Sequence, residues 1–523
     1  MIDNNNSEIK IAEIEKENTL KISVVKTAVI MAILTLVSKC FGFIREMVLA
    51  GAFGATYVVD AYVMAQSIPN ILLSGIFAAI ATAYMPLFSV EMEKKGEKAG
   101  NIFTSKIITI TLAIAIIGMC IGVIFSKELV SIFASGFNNE TLSLTSTFLK
   151  IAFFSVAFSS ISGILEAYLQ YKNVFIRQIV IGYLQNIIVI ASICICYFVG
   201  SQYLAFGLMI GNLIRCVFMY VQARRKGYRH EKSDGMYLDT VKQILALSMP
   251  IFIGTYITQI NTFVDKSLAS SLVEGSVSAL NYANILNTTI ISLTVTIIVT
   301  ILYPKMARAE TLKDSKTFND MLDKSISVVL IIIIPFTLGA MVYDREFVSI
   351  VYERGAFDTF AAQMTTEAFM FYAIGMTFSS VNMVLTKVFF AKQNTIVPVI
   401  CSTLGVITNV ILNLILVKTM QHMGLALATS IACAITTIAY IVGIKIKYKD
   451  ISINHIKLKL LKIITGSIIS VGVSAAIYKA LIGYFPLIIN LGFAVIVAAI
   501  VYMGTLYVMK IEELKLIKNI LKK

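Results

Sequence analysis

The sequence predicts an all-α polytopic membrane protein with about fourteen transmembrane helices: two six-helix lobes around a central cavity and two further C-terminal helices. Three observations predict this fold. Hydrophobic residues make up 58% of the 523 residues and charged residues only 14%. Apolar runs of about 20 residues, the length that crosses a bilayer, recur from end to end. Short motifs in the first half of the chain also return in the second half at nearly constant spacing.

The apolar runs define the individual spans. No interruption between them is longer than about twenty residues, which leaves no room for a large soluble domain. The runs lie near residues 24–50, 58–88, 102–126, 143–170, 175–199, 202–223, 240–268, 275–303, 322–343, 362–390, 395–417, 423–446, 458–482 and 486–509.

The charges of the connecting loops alternate from one loop to the next. One set is rich in Lys and Arg, as in Lys94–Lys98, Arg224–Arg229 and Lys445–Lys449, whereas the loops at 51–57 and 269–274 contain none. Because cytoplasmic loops carry the excess of Lys and Arg, both termini are predicted to be cytoplasmic. The net charge of +14 then indicates attraction to anionic membrane lipids, with no role in nucleic-acid binding.

An internal repeat relates spans one to six to spans seven to twelve. Pro86 aligns with Pro304 (304 − 86 = 218), and the segment Glu128–Ile132 aligns with Glu346–Ile350 (346 − 128 = 218). An even number of spans per copy gives parallel repeats, as in transporters whose central cavity alternates access. Spans thirteen and fourteen either form a lipid-side groove or serve only packing and assembly. The predicted division is a cytoplasmic tail at 1–23, lobes at 24–226 and 227–450, and the last two spans with a basic cytoplasmic C-terminus at 451–523.

Four charged residues lie in or beside the first two spans: Lys39, Arg45, Glu46 and Asp60. A charge at the bilayer centre costs about 3 kcal/mol, so such residues usually face a partner or a water-filled cavity. Lys39 and Arg45 lie about 9 Å apart along a helix, and a short loop returns Asp60 alongside. We interpret this group as part of a cavity that receives a bulky anion, with Asp60 and Glu46 as cavity or gating residues. The alternative is snorkelling and salt bridges that only hold helices together.

A second polar group belongs to the second lobe. Asp265 and Lys266 lie near the outer end of span seven, Asn409 and Asn413 share one face of span eleven, and Thr429 lies on span twelve. One carboxylate with several neutral oxygens suits a hard cation, so Asp265, Asn409, Asn413 and Thr429 are candidates for a coupling-ion site, with Na⁺ as the ion. Interhelical hydrogen bonding is the alternative that the sequence favours.

The sequence contains no pattern for enzyme chemistry. It lacks a G-x-x-x-x-G-K-[ST] phosphate loop and an H-E-x-x-H motif, and its three histidines fall in or near loops. No cofactor, no metal centre and no catalytic residue are therefore predicted. Glu166 and Arg215 are expected to snorkel at cytoplasmic helix ends, and Asp358 is expected to cap a helix after an outer corner.

Several motifs together resemble one family. GFIRE at 42–46, VDAY at 59–62, IPN at 68–70, YPKMAR at 303–308 and ERGAFD at 353–358 are similar to the MurJ/MviN lipid II flippases of the multidrug/oligosaccharidyl-lipid/polysaccharide exporter superfamily. The resemblance covers essentially the whole chain. It implies a bacterial plasma-membrane flippase that moves lipid II, the undecaprenyl-pyrophosphate-linked peptidoglycan precursor, from the inner to the outer leaflet. Membrane potential or an ion gradient would drive it, and cell-wall synthesis enzymes would be further partners.

The resemblance also implies roles for individual residues. The family's cavity is cationic; its GF-x-R arginine matches Arg45, and the preceding basic residue matches Lys39. Bases that relatives often carry are replaced here by Leu73 and Ile285, so Lys266 is expected to supply a further pyrophosphate contact. The departures leave open an exporter of another lipid-linked polysaccharide precursor or of drugs in the same superfamily. A non-transporting scaffold is a third reading, which the short loops disfavour.

Overall fold

The computed structural model describes residues 31, 33–231, 237–451, 456–511 and 513. The predicted tail at 1–23 and the basic run Lys515–Lys523 lie outside these residues. Within the described residues the chain is built from helices, and this confirms the predicted all-α membrane fold.

The first lobe contains six helices. The second of them joins two predicted spans through a break at Gly96, whose φ of 81° only glycine adopts readily. A 3₁₀ turn at Ser201–Tyr203 precedes the sixth helix. The helices are α1 (33–53), α2 (Tyr57–Ile124), α3 (Ser126–Phe133), α4 (Asn139–Tyr171), α5 (Ile176–Val199) and α6 (Leu204–Arg225).

The second lobe repeats this order and is followed by two further helices. Its last helix also joins two predicted spans, through a break at Gln421 with a φ of 49°. The helices are α7 (Tyr237–Ser270), α8 (Ser276–Thr311), α9 (Ser315–Val342), α10 (Asp344–Tyr352), α11 (Thr359–Ala391), α12 (Ile396–Lys447), α13 (Ile456–Leu481) and α14 (Leu487–Val508).

The helices account for the predicted spans. Nine of the described helices are long and apolar enough to cross a membrane, and the bent helix α8 brings the number to ten. Because α2 and α12 each contain two spans, and because α1 and α7 coincide with predicted spans, each of the fourteen predicted runs has a helical counterpart.

The internal repeat extends to helix caps. Helices α4 and α11 both contain 33 residues and begin 220 residues apart (359 − 139 = 220). Asn138 and Asp358 occupy the two N-caps, and each side chain accepts a hydrogen bond at 2.8 Å from the backbone N–H three residues further on. The predicted capping role of Asp358 is confirmed.

Helices α3 and α10 were not predicted, because an eight- or nine-residue amphipathic helix is too short to register as an apolar span. They lie in the loops that precede α4 and α11 and are equivalent in the repeat (344 − 126 = 218). Each buries one apolar edge, which includes Val130 in α3 and Val348 in α10.

Helices α13 and α14 pack against the second lobe. The Tyr502 hydroxyl of α14 donates to the Ile331 carbonyl of α9 at 2.7 Å. Lys459 of α13 pairs with Asp323 of α9 at 2.5 Å and with Glu513 at 2.6 Å. These contacts agree with a packing role for the last two spans.

Candidate functional site

Arg45 lies about 12 Å from the C-terminal end of α1, at 1.5 Å per residue. Its Nη2 and Nε donate to Glu46 Oε1 at 2.6 and 3.1 Å, and its Nη1 lies 3.3 Å from Asn186 Oδ1 on α5. The Arg45 side chain is 29% exposed, whereas Glu46 is buried. A guanidinium has five N–H donors, so two remain for an anion after these three bonds.

Lys39 is exposed and makes no hydrogen bond or ion pair with any described residue. Six residues of helix correspond to about 1.7 turns, so Lys39 and Arg45 leave α1 about 120° apart. The two cations therefore face different directions, and one anion meets both only through the long, flexible lysine side chain.

Asp60 lies in the first turn of α2 and contacts the start of α8. Its buried carboxylate accepts hydrogen bonds from the backbone N–H groups of Gly275 at 2.8 Å and Ser278 at 2.7 Å, and from the Ser278 hydroxyl. A carboxylate in this position satisfies the free N–H groups of a helix and its positive dipole end. Asp60 thus caps a helix of the opposite lobe.

Asp60 makes no hydrogen bond or ion pair with Arg45, so it does not orient Arg45 by direct contact, and its cavity or gating role stays a prediction. All three hydrogen bonds of the Asp60 carboxylate go to residues 275–278, and Arg45 bonds to Glu46 and Asn186 instead. A free helix N-terminus offers two N–H donors at fixed positions, and the sequence near Asp60 gives no sign of it.

The contact at Asp60 is reciprocal. Glu274, one residue before Gly275, accepts a hydrogen bond at 3.1 Å from the N–H of Tyr57, the first residue of α2. The Tyr282 hydroxyl donates to the Gly54 carbonyl at 3.1 Å, and the Ala356 N–H donates to the Gly51 carbonyl at 2.9 Å. We call this set, residues 51–60 with 274–282 and 354–357, the outer clasp, after the side of the membrane that the loop charges predict for it. It joins the two lobes at one end.

The polar residues predicted for the second lobe do come together. Asp265 Oδ1 lies 2.5 Å from Asn413 Nδ2, and the side-chain amide of Asn409 lies 2.7 Å from the same nitrogen. The hydrogen bonds of Asn409 are best satisfied when its nitrogen donates to Asp265 Oδ1 at 3.0 Å and its oxygen accepts from Thr429. The Asn409 amide is also 3.1 Å from Thr429 Oγ1. Asn261 joins the cluster, because its Nδ2 lies 3.2 Å from Asp265 Oδ2. The four predicted residues therefore form one group between α7 and the two halves of α12, in which Asn409 and Asn413 are buried and Asp265 and Thr429 are half-buried.

One atom of this cluster has no partner. Asn413 is fully buried, and its Oδ1 makes no hydrogen bond. A buried, unpaired acceptor is uncommon and calls for an explanation. No group of three or more His, Cys, Asp or Glu that could hold a metal occurs in the described part of the chain. Any ion here would therefore use amide and hydroxyl oxygens beside the one carboxylate.

Lys266 points the other way from its neighbour Asp265. Its Nζ donates to Ser67 Oγ of α2 at 2.5 Å, across the interface between the lobes. A second bond lies seven residues earlier on α7 and seven residues later on α2, where Gln259 Nε2 donates to Ser74 Oγ at 3.1 Å. Ser67 and Ser74 were not predicted as functional residues, although the matched spacing of seven on α2 and α7 is a signal for such a seam.

The structure also shows the surroundings of Leu73 and of the pair Glu166 and Arg215. Leu73, which replaces a base of the family, is buried against Gly118 inside the first lobe. Glu166 and Arg215 do not snorkel separately: Arg215 Nη2 lies 2.9 Å from Glu166 Oε2, and its Nη1 lies 3.3 Å from Gln185 Oε1. An oppositely charged partner on the adjacent helix stabilises a charge inside the membrane, so neither side chain has to reach water at the membrane surface.

Comparison with known proteins gives one family. The family model described as "Lipid II flippase MurJ" matches residues 49–492. A probable lipid II flippase MurJ of Rickettsia prowazekii is 26% identical over 506 residues, which cover 93% of this chain and 98% of the relative. A relative of the same description from Treponema pallidum is 25% identical and covers 80% of this chain and 81% of its own length.

Solved structures share the fold. A lipid II flippase MurJ in an inward closed conformation superposes with a TM-score of 0.80 at 24% identity and covers 92% of this chain and 98% of the solved one. An inward-facing multidrug resistance MATE family transporter of the MOP superfamily gives a TM-score of 0.64 at 13% identity, over 78% and 92% of the two chains. Since the family match spans most of the sequence, the chain belongs to the MurJ family of lipid II flippases, which are membrane transporters and not enzymes.

Proposed function

We propose that this chain moves lipid II from the cytoplasmic to the outer leaflet of a bacterial plasma membrane by alternating access. The observation that carries the proposal is Arg45, a half-buried guanidinium within a membrane span that keeps two N–H donors free. A pyrophosphate needs charge-assisted donors in a medium of low dielectric constant, and Arg offers them in a planar fork. The relatives named as probable lipid II flippases support the same substrate.

The proposed orientation follows from the loop charges, with both termini in the cytoplasm. The outer clasp then lies at the outer face, and the lobes are joined there. In this state the headgroup of lipid II enters from the cytoplasmic side, and Arg45 and Lys39 bind its pyrophosphate. Release to the outer leaflet requires the clasp to open, which exposes the N-termini of α2 and α8.

Lys266 has two roles in this proposal. In the clasped state its ammonium bonds to Ser67 and holds α7 against α2. When α2 and α7 separate, that bond breaks, and the three donors of the ammonium become available to the pyrophosphate. Lys266 would then supply a charge that Leu73 and Ile285 do not.

We further propose that Na⁺ binds at Asp265, Asn409, Asn413 and Thr429, and that its gradient or the membrane potential drives transport. The unpaired, fully buried Asn413 Oδ1 supports this fit. Carboxylate, amide and hydroxyl oxygens are the ligands that hard cations prefer. The bound ion would neutralise Asp265 inside the membrane. The alternative is that the same atoms only hydrogen-bond α7 to α12.

Substitution of Asp265 by Asn is expected to abolish a specific effect of Na⁺ on stability. Wild-type protein in detergent should melt at a higher temperature in NaCl than in choline chloride, because a ligand at ten times its Kd stabilises the folded state by about 1.4 kcal/mol. The D265N variant should melt at the same temperature in both salts. The control is D320N, which removes an exposed carboxylate of α9 and should keep the Na⁺ effect. An unchanged Na⁺ effect in D265N would favour the hydrogen-bonding alternative.

The proposed function is tested by complementation. The gene is expressed in cells depleted of their lipid II flippase, and survival and outer-leaflet lipid II are measured. Rescue by the wild-type chain is the expected result. If a correctly inserted protein fails to rescue, the substrate would be another lipid-linked polysaccharide precursor or a drug, in line with the missing bases at Leu73 and Ile285. Roles for membrane lipids and cell-wall synthesis enzymes as partners stay predictions.

A further inference from the structure

An apolar groove lies between the lobes, on the side of α2 and α7. It encloses about 240 Å³, and all of its lining residues are apolar. Ile76 and Ile80 line it from the first half of α2, Ile110 and Ile114 from the second half, and Phe252 from α7. An apolar cavity of about 150 Å³ stays dry and binds apolar molecules. Water is therefore a poor occupant for this larger groove.

The groove is continuous with apolar surface that faces lipid. On the second half of α2, Ile117 is 60% exposed and Ile121 is 50% exposed. On α7, Met249 lines the groove and is 48% exposed, and Ile253 one turn further is 50% exposed. Inside a membrane such surface contacts acyl chains. The nearest apolar material that can enter the groove is therefore a lipid chain.

Basic residues lie at one end of the groove. Lys106 precedes Ile110 by one turn on the same face of α2, and Lys242 precedes Met249 by seven residues on the same face of α7. Neither lysine makes a hydrogen bond or ion pair with a described residue. The lobe linker adds the exposed residues Arg229 and His230 next to Glu231, whose N–H donates to Ser105 Oγ at 3.1 Å.

We propose that this groove binds one anionic phospholipid, with an acyl chain between α2 and α7 and its phosphate on Lys106 and Lys242. A phosphate at membrane depth attracts nearby ammonium groups, and the chain fills apolar space that is otherwise empty. In the orientation proposed above, both lysines lie on the cytoplasmic side of the groove, so the lipid belongs to the cytoplasmic leaflet. The bound phospholipid lies at the interface between the lobes, and its site is distinct from the site at Arg45.

The test uses full-length protein in phosphatidylcholine vesicles that contain phosphatidylglycerol with a photoreactive group in its acyl chain. Labelled peptides are identified by mass spectrometry. We expect labels concentrated on the segments that contain Ile110, Ile114 and Met249, and much weaker labelling there by the matching phosphatidylcholine probe. Each basic residue near anionic lipid contributes about five-fold in affinity. The K106Q/K242Q variant should therefore lose about 25-fold in apparent affinity for the phosphatidylglycerol probe.

The control is K445Q/K447Q, which removes two exposed lysines from the end of α12 and should leave groove labelling unchanged. The variant Ile114→Trp, which fills the groove from its lipid side, should abolish labelling while the melting temperature stays near that of the wild type. Equal labelling of wild type and K106Q/K242Q would overturn the proposal, as would labels spread evenly over the lipid-facing helices. Because binding is measured without transport, the result is independent of whether lipid II is the transported substrate.

Discussion

Arg45→Ala is expected to abolish lipid II transport while the protein still inserts into the membrane. The substitution removes the guanidinium whose free donors face the proposed pyrophosphate site. A hydrogen bond to a charged group contributes about 1.5–3 kcal/mol, so the loss of two such bonds lowers the transport rate by about a hundred-fold or more. Transport is measured as survival of flippase-depleted cells and as outer-leaflet lipid II, with membrane-inserted protein quantified in parallel.

The substitution also leaves the buried Glu46 without its partner, and breaking a buried pair costs about 3–5 kcal/mol. The chain offers a matched control for this effect. Arg215 pairs with Glu166 inside the same lobe at 2.9 Å, and its side chain is 30% exposed, against 29% for Arg45. Arg215→Ala should lower the melting temperature and retain transport. The double variant R45A/E46Q, which removes the unpaired charge, should regain stability but not transport.

The substitution Arg45→Lys tests whether transport depends on the positive charge of Arg45 or on the planar arrangement of its donors. It keeps one positive charge but loses the planar fork and its two parallel donors, so we expect transport between that of wild type and Arg45→Ala. Full transport by a stable Arg45→Ala protein would remove Arg45 from the mechanism and, with it, the observation on which the proposed function rests.

The sequence was sufficient for the fold and for the membership of the second polar group, because apolar length, loop charge and intramembrane charges are local signals. Asp265, Asn409, Asn413 and Thr429 could be grouped because a carboxylate, two amides and a hydroxyl inside apolar helices each need a polar partner. The direction of Lys266 could not be predicted. Adjacent helical residues point about 100° apart, and only the packed lobes decide that Asp265 faces α12 and Lys266 faces α2.

The outer clasp was missed, although the repeat carried a signal for it. Asp60 and Ser278 are equivalent positions (278 − 60 = 218), and so are Tyr57 and Gly275 (275 − 57 = 218). Parallel repeats are related by an axis along the membrane normal, and equivalent positions close to that axis must meet. The hydrogen bonds of Asp60 to residues 275–278 are such a meeting. The repeat alone does not show how far a residue lies from this axis, because that distance depends on how the helices pack. The contact at Asp60 could therefore not be predicted from the repeat.

Asp60→Ala is expected to shift the protein toward a state that is open at the clasp. The substitution removes three hydrogen bonds that join α2 to the N-terminus of α8. Loss of a helix cap costs about 0.5–2 kcal/mol, and every 1.4 kcal/mol changes a population ratio ten-fold. The ratio of open to clasped molecules should therefore rise by about two- to thirty-fold. Spin labels are placed at the exposed positions Asn139 and Val273, one on each lobe. Double electron–electron resonance should then show a longer distance between the two labels in Asp60→Ala than in the wild type.

The control for Asp60→Ala is Asp358→Ala, because Asp358 caps α11 within its own lobe. It should lower the melting temperature by a similar amount and leave the distance distribution unchanged. Glu274→Gln, which weakens the single 3.1 Å bond to the Tyr57 N–H, should give a smaller shift in the same direction. If Asp60→Ala and Asp358→Ala both destabilise the protein without a longer distance, Asp60 only stabilises a helix end. If only Asp60→Ala lengthens the distance, the two crossed caps hold the lobes together, and opening them is a step that outward release must include.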